Sequence, residues 1–129
     1  MEELLIDKIS VFENYSLKHY DKGYVELETE VVPSSLNHYG NAHGGYLFTL
    51  CDQVGSLAVL SLGYHAVTMS AAINYLKAGH LGERLCISGR CLHEGRTTKV
   101  VEVSVHSMAK ELLAKATFTM FVTGSVVVD

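Results

Sequence analysis

The sequence predicts an α+β domain in which an antiparallel sheet of about five to six strands wraps around one long central helix. Two features of the chain indicate this arrangement. One apolar segment of helical length lies in the first half, and four strand-like segments follow it in succession. Successive strands joined by short turns pair antiparallel. The chain has 129 residues, one proline, no linker and no internal repeat, so we expect a single domain over residues 1–129.

Alternation of apolar and polar side chains predicts the strands. In residues 23–32, apolar side chains at 25, 27 and 31 alternate with glutamates at 26, 28 and 30, as in a strand with one buried face. A short N-terminal helix is expected over residues 2–12. We predict four further strands at about 66–77, 83–93, 97–107 and 111–122, separated by turn-forming residues at 79–82, 94–96 and 109–111.

The central helix is predicted at about residues 45–62, which are apolar on most sides. Eighteen residues of α-helix span about 27 Å. A helix that is apolar nearly all round is normally enclosed by other elements. An antiparallel sheet that encloses one such helix is the hotdog architecture.

Composition and charge exclude several classes of function. The net charge of −4 provides no basic surface for nucleic acid and disfavours docking on an anionic membrane, so we expect neither partner. The three cysteines show no C-x-x-C pairing, and the acidic N-terminus lacks the apolar core of a signal peptide. These observations predict a cytoplasmic protein with reduced thiols. The seven histidines lack the spacing of metal ligands, so we expect no metal. The chain has no nucleotide-binding glycine motif, so we expect no cofactor.

Asp52 is the main candidate for chemistry. It is the only Asp, Glu, Lys or Arg between Glu30 and Lys77, and it lies in the middle of the predicted apolar helix. A carboxylate in such surroundings is usually either paired or functional. Thr49, Asp52 and Ser56 share one narrow face of the helix. From the residues alone this polar stripe is equally compatible with a catalytic site and with a contact to water or a partner subunit.

Residues 41–45, NAHGG, immediately precede the predicted helix. Glycine lets a ligand approach the backbone, and the first amide groups of a helix lack internal acceptors and favour negative charge. This turn is therefore a candidate oxyanion hole for a thioester carbonyl. The alternative is an ordinary helix start with His43 as a local cap.

The strand at 66–77 carries a small polar face. Simple alternation places Thr68, Ser70, Ala72 and Asn74 on one side. That side either lines a substrate channel or faces solvent.

In order and spacing, these pieces resemble the PaaI-like (phenylacetate-degradation-type) hotdog acyl-CoA thioesterases over about residues 25–124. The resemblance rests on Asn37, on His43 with the two glycines after it, on Asp52 within LFTLCD at 47–52, and on Ser70. It extends to YLKAG at 75–79, where Ala78 replaces the family's usual proline, and to EGRT at 94–97, which is similar to a turn that contacts CoA.

The resemblance implies a role for each matched residue in hydrolysis of an acyl-CoA. The Gly44 amide would polarise the thioester carbonyl, and Asp52 would attack it or activate a water. Asn37 and His43 would position the carbonyl or the water, and Ser70 would orient the nucleophile. The expected substrate-binding residues are Thr68, Ala72, Lys77, Gly95, Arg96 and Thr97; Lys99, close to the 94–97 turn, is a further candidate for the CoA phosphates.

Spacing along the helix independently indicates an oligomer. Gly44 and Asp52 are eight positions apart, so on one straight helix about 12 Å separates them. They cannot act on one carbonyl within a single chain, and the resemblance likewise implies a site between subunits. We therefore expect a homodimer at least, and favour a homotetramer.

The alternatives to a thioesterase are an acyl-CoA-binding module without turnover and a hotdog dehydratase. The sequence does not identify the acyl group, which is small, medium-chain or aryl.

Overall fold

A computed structural model of the chain describes residues 4–126. It contains six strands, one 3-10 turn and one long helix; the helix and five of the strands lie close to the positions that the patterns predict. Every strand pairing is antiparallel, and the sheet order is β1-β2-β4-β5-β6-β3. The elements are β1 Ser16–Asp21, β2 Tyr24–Glu30, a 3-10 helix Pro33–Ser35, α1 Gly44–Leu60, β3 Tyr64–Tyr75, β4 Arg84–Glu94, β5 Thr98–Ser107 and β6 Leu112–Ser125.

The sheet wraps around α1, which confirms the predicted hotdog fold. Alternate residues of β2, β4, β5 and β6 are buried against the helix, as the period of two requires. Gly89 of β4 allows the helix to approach the sheet closely, because a Cβ there would lie 2.8 Å from Val54 of the helix. Within residues 4–126, no helix is long and apolar enough to cross a membrane.

The N-terminal region differs from the prediction. Residues 4–12 form no helix, and residues 2 and 3 lie outside the described part of the chain. Ile9 and Val11 pack against the core at a spacing of two, which suits an extended segment and not a helix. The prediction also missed β1, which forms a hairpin with β2. Its side chains are almost all exposed, so β1 lacks the alternation that identifies half-buried strands.

A bulge interrupts β3. The pairing with β6 shifts between Thr68 and Ser70, so Met69 is an extra residue and the alternation reverses there. Thr68 pairs with the buried Met120, whereas Ser70 pairs with Thr119 on the outer face. The prediction that Thr68, Ser70, Ala72 and Asn74 share one face is therefore wrong, because the last three lie on the side away from Thr68.

Candidate active site

The helix begins at a turn in which one amide group, that of Gly44, is free to bind a ligand. His43 is the N-cap of α1, and its Nδ1 accepts a hydrogen bond of 2.8 Å from the Gly45 amide. The His43 amide donates to the Ser35 carbonyl at 2.8 Å. Among the described residues, the Gly44 amide has no hydrogen-bond acceptor, and the first turn contains no acidic side chain. A free amide at a positive helix end is suited to bind a developing oxyanion.

Tyr75 packs against this turn and was not predicted as a site residue. Its hydroxyl donates to the Gly44 carbonyl at 2.8 Å, and a Cβ on Gly44 would lie 3.2 Å from the tyrosine ring. The two residues border a cleft of about 290 Å³ that also includes Lys77. The Lys77 ammonium is largely exposed and forms an ion pair of 2.7 Å with Glu111. The cleft therefore brings together the predicted oxyanion donor and one predicted phosphate ligand.

Asn37 fixes the loop in front of the helix. Its Oδ1 accepts hydrogen bonds of 3.0 Å from the backbone amides of Tyr39 and Asn41, and the Asn37 backbone amide donates to the Asn41 carbonyl at 2.8 Å. Because both of these contacts come from N–H donors, the side-chain atom that they reach must be the oxygen. This determines which way the Asn37 side-chain amide is oriented. The Nδ2 group remains as a donor for a ligand, which is what positioning a carbonyl or a water requires.

Asp52 is half-buried on α1 and hydrogen-bonded to β3. The Thr68 hydroxyl donates to Asp52 Oδ1 at 2.7 Å, while Oδ2 has no partner within residues 4–126. Ser70, expected to orient the nucleophile, makes no such contact within the chain because the bulge directs it to the opposite face. Thr68, expected among the substrate-binding residues, is the hydroxyl in contact with the carboxylate.

Cys51, which precedes Asp52 on α1, is a core thiol. It is fully buried. Burial, together with the neighbouring Asp52 carboxylate, raises the pKa of Cys51 to about 12. Because the thiolate is the nucleophilic form, this cysteine is unsuited to attack a thioester near neutral pH.

The turn at residues 95–97 joins β4 to β5. No ion pair involves Arg96 in the part of the chain that the structure describes, so its guanidinium is free for a phosphate. Lys99 was expected to reach CoA as well, and this expectation is wrong. Its side chain is buried, donates to the Gly95 carbonyl and lies 4.4 Å from the centre of the Tyr64 ring.

A second contact that the sequence did not predict comes from the N-terminal segment. Asp7 Oδ1 lies 3.2 Å from His38 Nδ1, and Asp7 Oδ2 lies 3.6 Å from His43 Nε2. No motif surrounds Asp7, and its position depends on how an irregular segment crosses the domain. No local signal could have identified it.

Six of the predicted site residues form two groups within the chain, whereas Ser70 and Ala72 lie on the other face of β3 and residues 95–97 form the separate turn between β4 and β5. Gly44, His43, Asn37 and Lys77 cluster at the start of α1, whereas Asp52 and Thr68 form a pair farther along it. A carboxylate and an oxyanion donor are the parts needed to hydrolyse an activated acyl compound. Fold and site therefore define a hydrolase of the hotdog class.

Comparison with known proteins gives the family. The family model described as "Thioesterase superfamily" matches residues 39–114, more than half of the chain. The chain belongs to the thioesterase superfamily, which confirms the predicted PaaI-like hotdog thioesterase and thioester hydrolase.

Individual relatives agree with this assignment. The chain is similar to a Streptococcus pneumoniae hypothetical thioesterase solved with coenzyme A, at 54% identity over 96% of this chain and 100% of that one, with a TM-score of 0.94. It is also similar to a Streptococcus mutans protein solved with acetyl-CoA, at 56% identity over 95% and 98% of the two chains, with a TM-score of 0.88. The Escherichia coli acyl-coenzyme A thioesterase PaaI is 29% identical over 73% of this chain and 67% of its own length.

Proposed function

We infer that the chain hydrolyses an acyl-CoA to the free acid and CoA, with Asp52 as its central catalytic group. The observation that carries this proposal is the Asp52–Thr68 pair. Asp52 is the only charged side chain on α1, and the 2.7 Å hydrogen bond fixes one carboxylate oxygen while the other stays free. Relatives solved with CoA and with acetyl-CoA support the choice of thioester.

The geometry supports a short sequence of steps. The Gly44 amide donates to the thioester oxygen and stabilises the negative charge that develops on it. Free Asp52 Oδ2 either takes a proton from water, so that hydroxide attacks the carbonyl carbon, or attacks that carbon itself to give an anhydride that water then cleaves. The C–S bond breaks as the tetrahedral intermediate collapses. In the first route, the departing CoA sulfur takes up the proton that Asp52 removed from water. In the second route, CoA leaves as a thiolate and takes up a proton from the water that cleaves the anhydride. Asn37 Nδ2 and His43 position the carbonyl or the water.

These reaction steps need residues from two subunits, and the exposure of β3 supports such a dimer. β3 is an edge strand of twelve residues with most side chains exposed, including Val67 and Met69 at more than half of their maximum. A long exposed edge can pair with another chain. A two-fold axis beside β3 would pair two copies antiparallel, so the Thr68 end of one would approach the Tyr75 end of the other. The Asp52 of one subunit would then face the Gly44 of its partner; a tetramer would join two such dimers.

Lys77, Arg96 and the backbone of residues 95–97 are proposed to hold the CoA phosphates, with Thr68 near the substrate; Ala72 lies on the opposite face of β3. Lys77 and Arg96 are the cations of the set, and their side chains lie in or beside loops. Three free cysteines support a reducing, cytoplasmic setting for this enzyme. Small, medium-chain and aryl acyl groups remain the candidate substrates.

A substrate panel with one matched variant tests the function. Purified chain is mixed with short, medium, long and aromatic acyl-CoAs, and thiol release is measured. The wild type should release CoA, and Asp52→Asn should lower kcat by about 100-fold or more while circular dichroism stays unchanged. Turnover of every thioester at the uncatalysed rate would refute the function. Full activity of a folded Asp52→Asn would remove Asp52 from the mechanism.

A further inference from the structure

The N-terminal segment places one carboxylate next to the oxyanion-binding turn. Asp7 precedes all strands, yet its side chain is only 18% exposed because it lies between His38 and His43. The backbone around it is fixed at several points. The Ser10 amide donates to the Ser34 carbonyl at 3.0 Å, and Ile9 packs against the core and lies 3.7 Å from the position of a Cβ on Gly45.

His43 connects this carboxylate to the start of the helix. Its Nδ1 accepts from the Gly45 amide, so in the neutral ring the hydrogen is on Nε2. Nε2 faces Asp7 Oδ2 at 3.6 Å. The carboxylate thus favours the one tautomer in which Nδ1 can cap the helix. If the ring rotated or changed tautomer, the Gly45 amide would lose its acceptor, and the adjacent Gly44 amide would lose its fixed direction.

We propose that Asp7 is a positioning residue for the oxyanion-binding turn and acts through His43. This inference rests on the proposed function, since Gly44 is the oxyanion donor only in a thioesterase. Asp7 touches neither the substrate nor the reacting atoms. Its effect is to hold the imidazole so that the first amides of α1 keep one geometry, in the way that second partners orient catalytic histidines elsewhere.

Kinetic variants test the proposal on the acyl-CoA that the wild type hydrolyses fastest. Asp7→Ala should lower kcat by about tenfold, the usual effect of losing an orienting partner, and leave KM nearly unchanged because substrate contacts remain. Asp7→Asn should recover most of the activity, since its amide oxygen can still face Nε2 with a partial negative charge. In a His43→Ala background, Asp7→Ala should cause no further loss, as two residues that act as a unit require.

Glu13 offers a matched control. It anchors the same segment through a hydrogen bond of 2.8 Å from the Ser34 hydroxyl but lies apart from His43. Glu13→Ala should therefore leave kcat unchanged. An equal loss in Glu13→Ala, an additive loss in the double variant, or a wild-type kcat in Asp7→Ala would each overturn the proposal. If Asp7→Ala does not fold by circular dichroism, Asp7→Ser serves in its place.

A readout independent of activity separates this proposal from the proposed function. Hydrogen exchange of the Gly45 amide, followed by NMR, reports whether His43 Nδ1 caps it. Exchange should be faster in Asp7→Ala than in the wild type and unchanged in Glu13→Ala. If the wild type hydrolyses no acyl-CoA, the proposed function fails, and this exchange alone decides whether Asp7 positions the turn. Equal exchange rates in Asp7→Ala and the wild type would overturn it.

Discussion

The hydrogen bond from Thr68 to Asp52 gives a quantitative prediction. Thr68→Val keeps the shape of the side chain and removes only the hydroxyl that donates to Asp52 Oδ1 at 2.7 Å. A hydrogen bond to a charged group contributes about 1.5–3 kcal/mol. If the bond must hold the carboxylate in the transition state, and about 1.4 kcal/mol corresponds to a factor of ten, kcat should fall by roughly 10- to 150-fold.

The assay compares three variants by thiol release at saturating acyl-CoA. Thr117→Val makes the same chemical change on the exposed outer face of β6 and should leave kcat unchanged. Ser70→Ala removes the other aliphatic hydroxyl of β3, which the bulge turns away from Asp52, and should lower kcat little. A folded Thr68→Val with wild-type kcat, or a larger loss in Ser70→Ala than in Thr68→Val, would refute the assignment of Thr68 as the partner of Asp52.

Three further outcomes follow from the same site. Mixing Asp52→Asn with Gly44→Pro subunits should restore up to about half of the wild-type activity per mixed dimer, because one of its two sites is intact; proline lacks the amide hydrogen yet suits the first helical position, and inactive mixed dimers would place the site within one chain. Arg96→Ala should raise KM more than it lowers kcat, since the phosphates do not change during the reaction; unchanged kinetics would leave Arg96 a solvated charge. Treatment with iodoacetamide at pH 8 should leave Cys51 unmodified by mass spectrometry and activity intact, because a pKa of about 12 leaves about one thiol in 10⁴ ionised; inactivation that parallels labelling of Cys51 would contradict a carboxylate mechanism.

Much of the fold was predictable because burial determines a regular period. β2, β4, β5 and β6 each have one face against α1, and their side chains alternate accordingly. The side chains of β1 show no such alternation, since this strand covers little of the core and pairs with β2 through its backbone. The predicted helix over residues 2–12 is wrong for residues 4–12, where Ile9 and Val11 contact the core from a backbone that is not helical.

Part of the candidate site was predictable for a different reason. Asp52 stands out because charge is rare on a buried helix, and the turn before α1 stands out because glycines cluster there. The β3 bulge leaves no comparable trace. One extra residue changes which hydroxyl reaches Asp52, and nothing in VTMSAA shows which residue is extra. Tyr75 and Asp7 reach the turn only through tertiary packing, so their contacts require the structure.

The rigidity of α1 has a consequence for how the site must be assembled. Gly44 and Asp52 belong to one continuous helix enclosed by the sheet, so no loop movement can shorten the distance of about 12 Å between them. The Thr68 hydrogen bond further fixes Asp52 to β3, and the Tyr75 hydrogen bond fixes Gly44 to the same strand seven residues away. The oxyanion donor Gly44 and the carboxylate Asp52 are thus both held by α1 and the edge strand β3. The proposed two-fold partner along that strand would bring a carboxylate to an oxyanion donor without deforming either element.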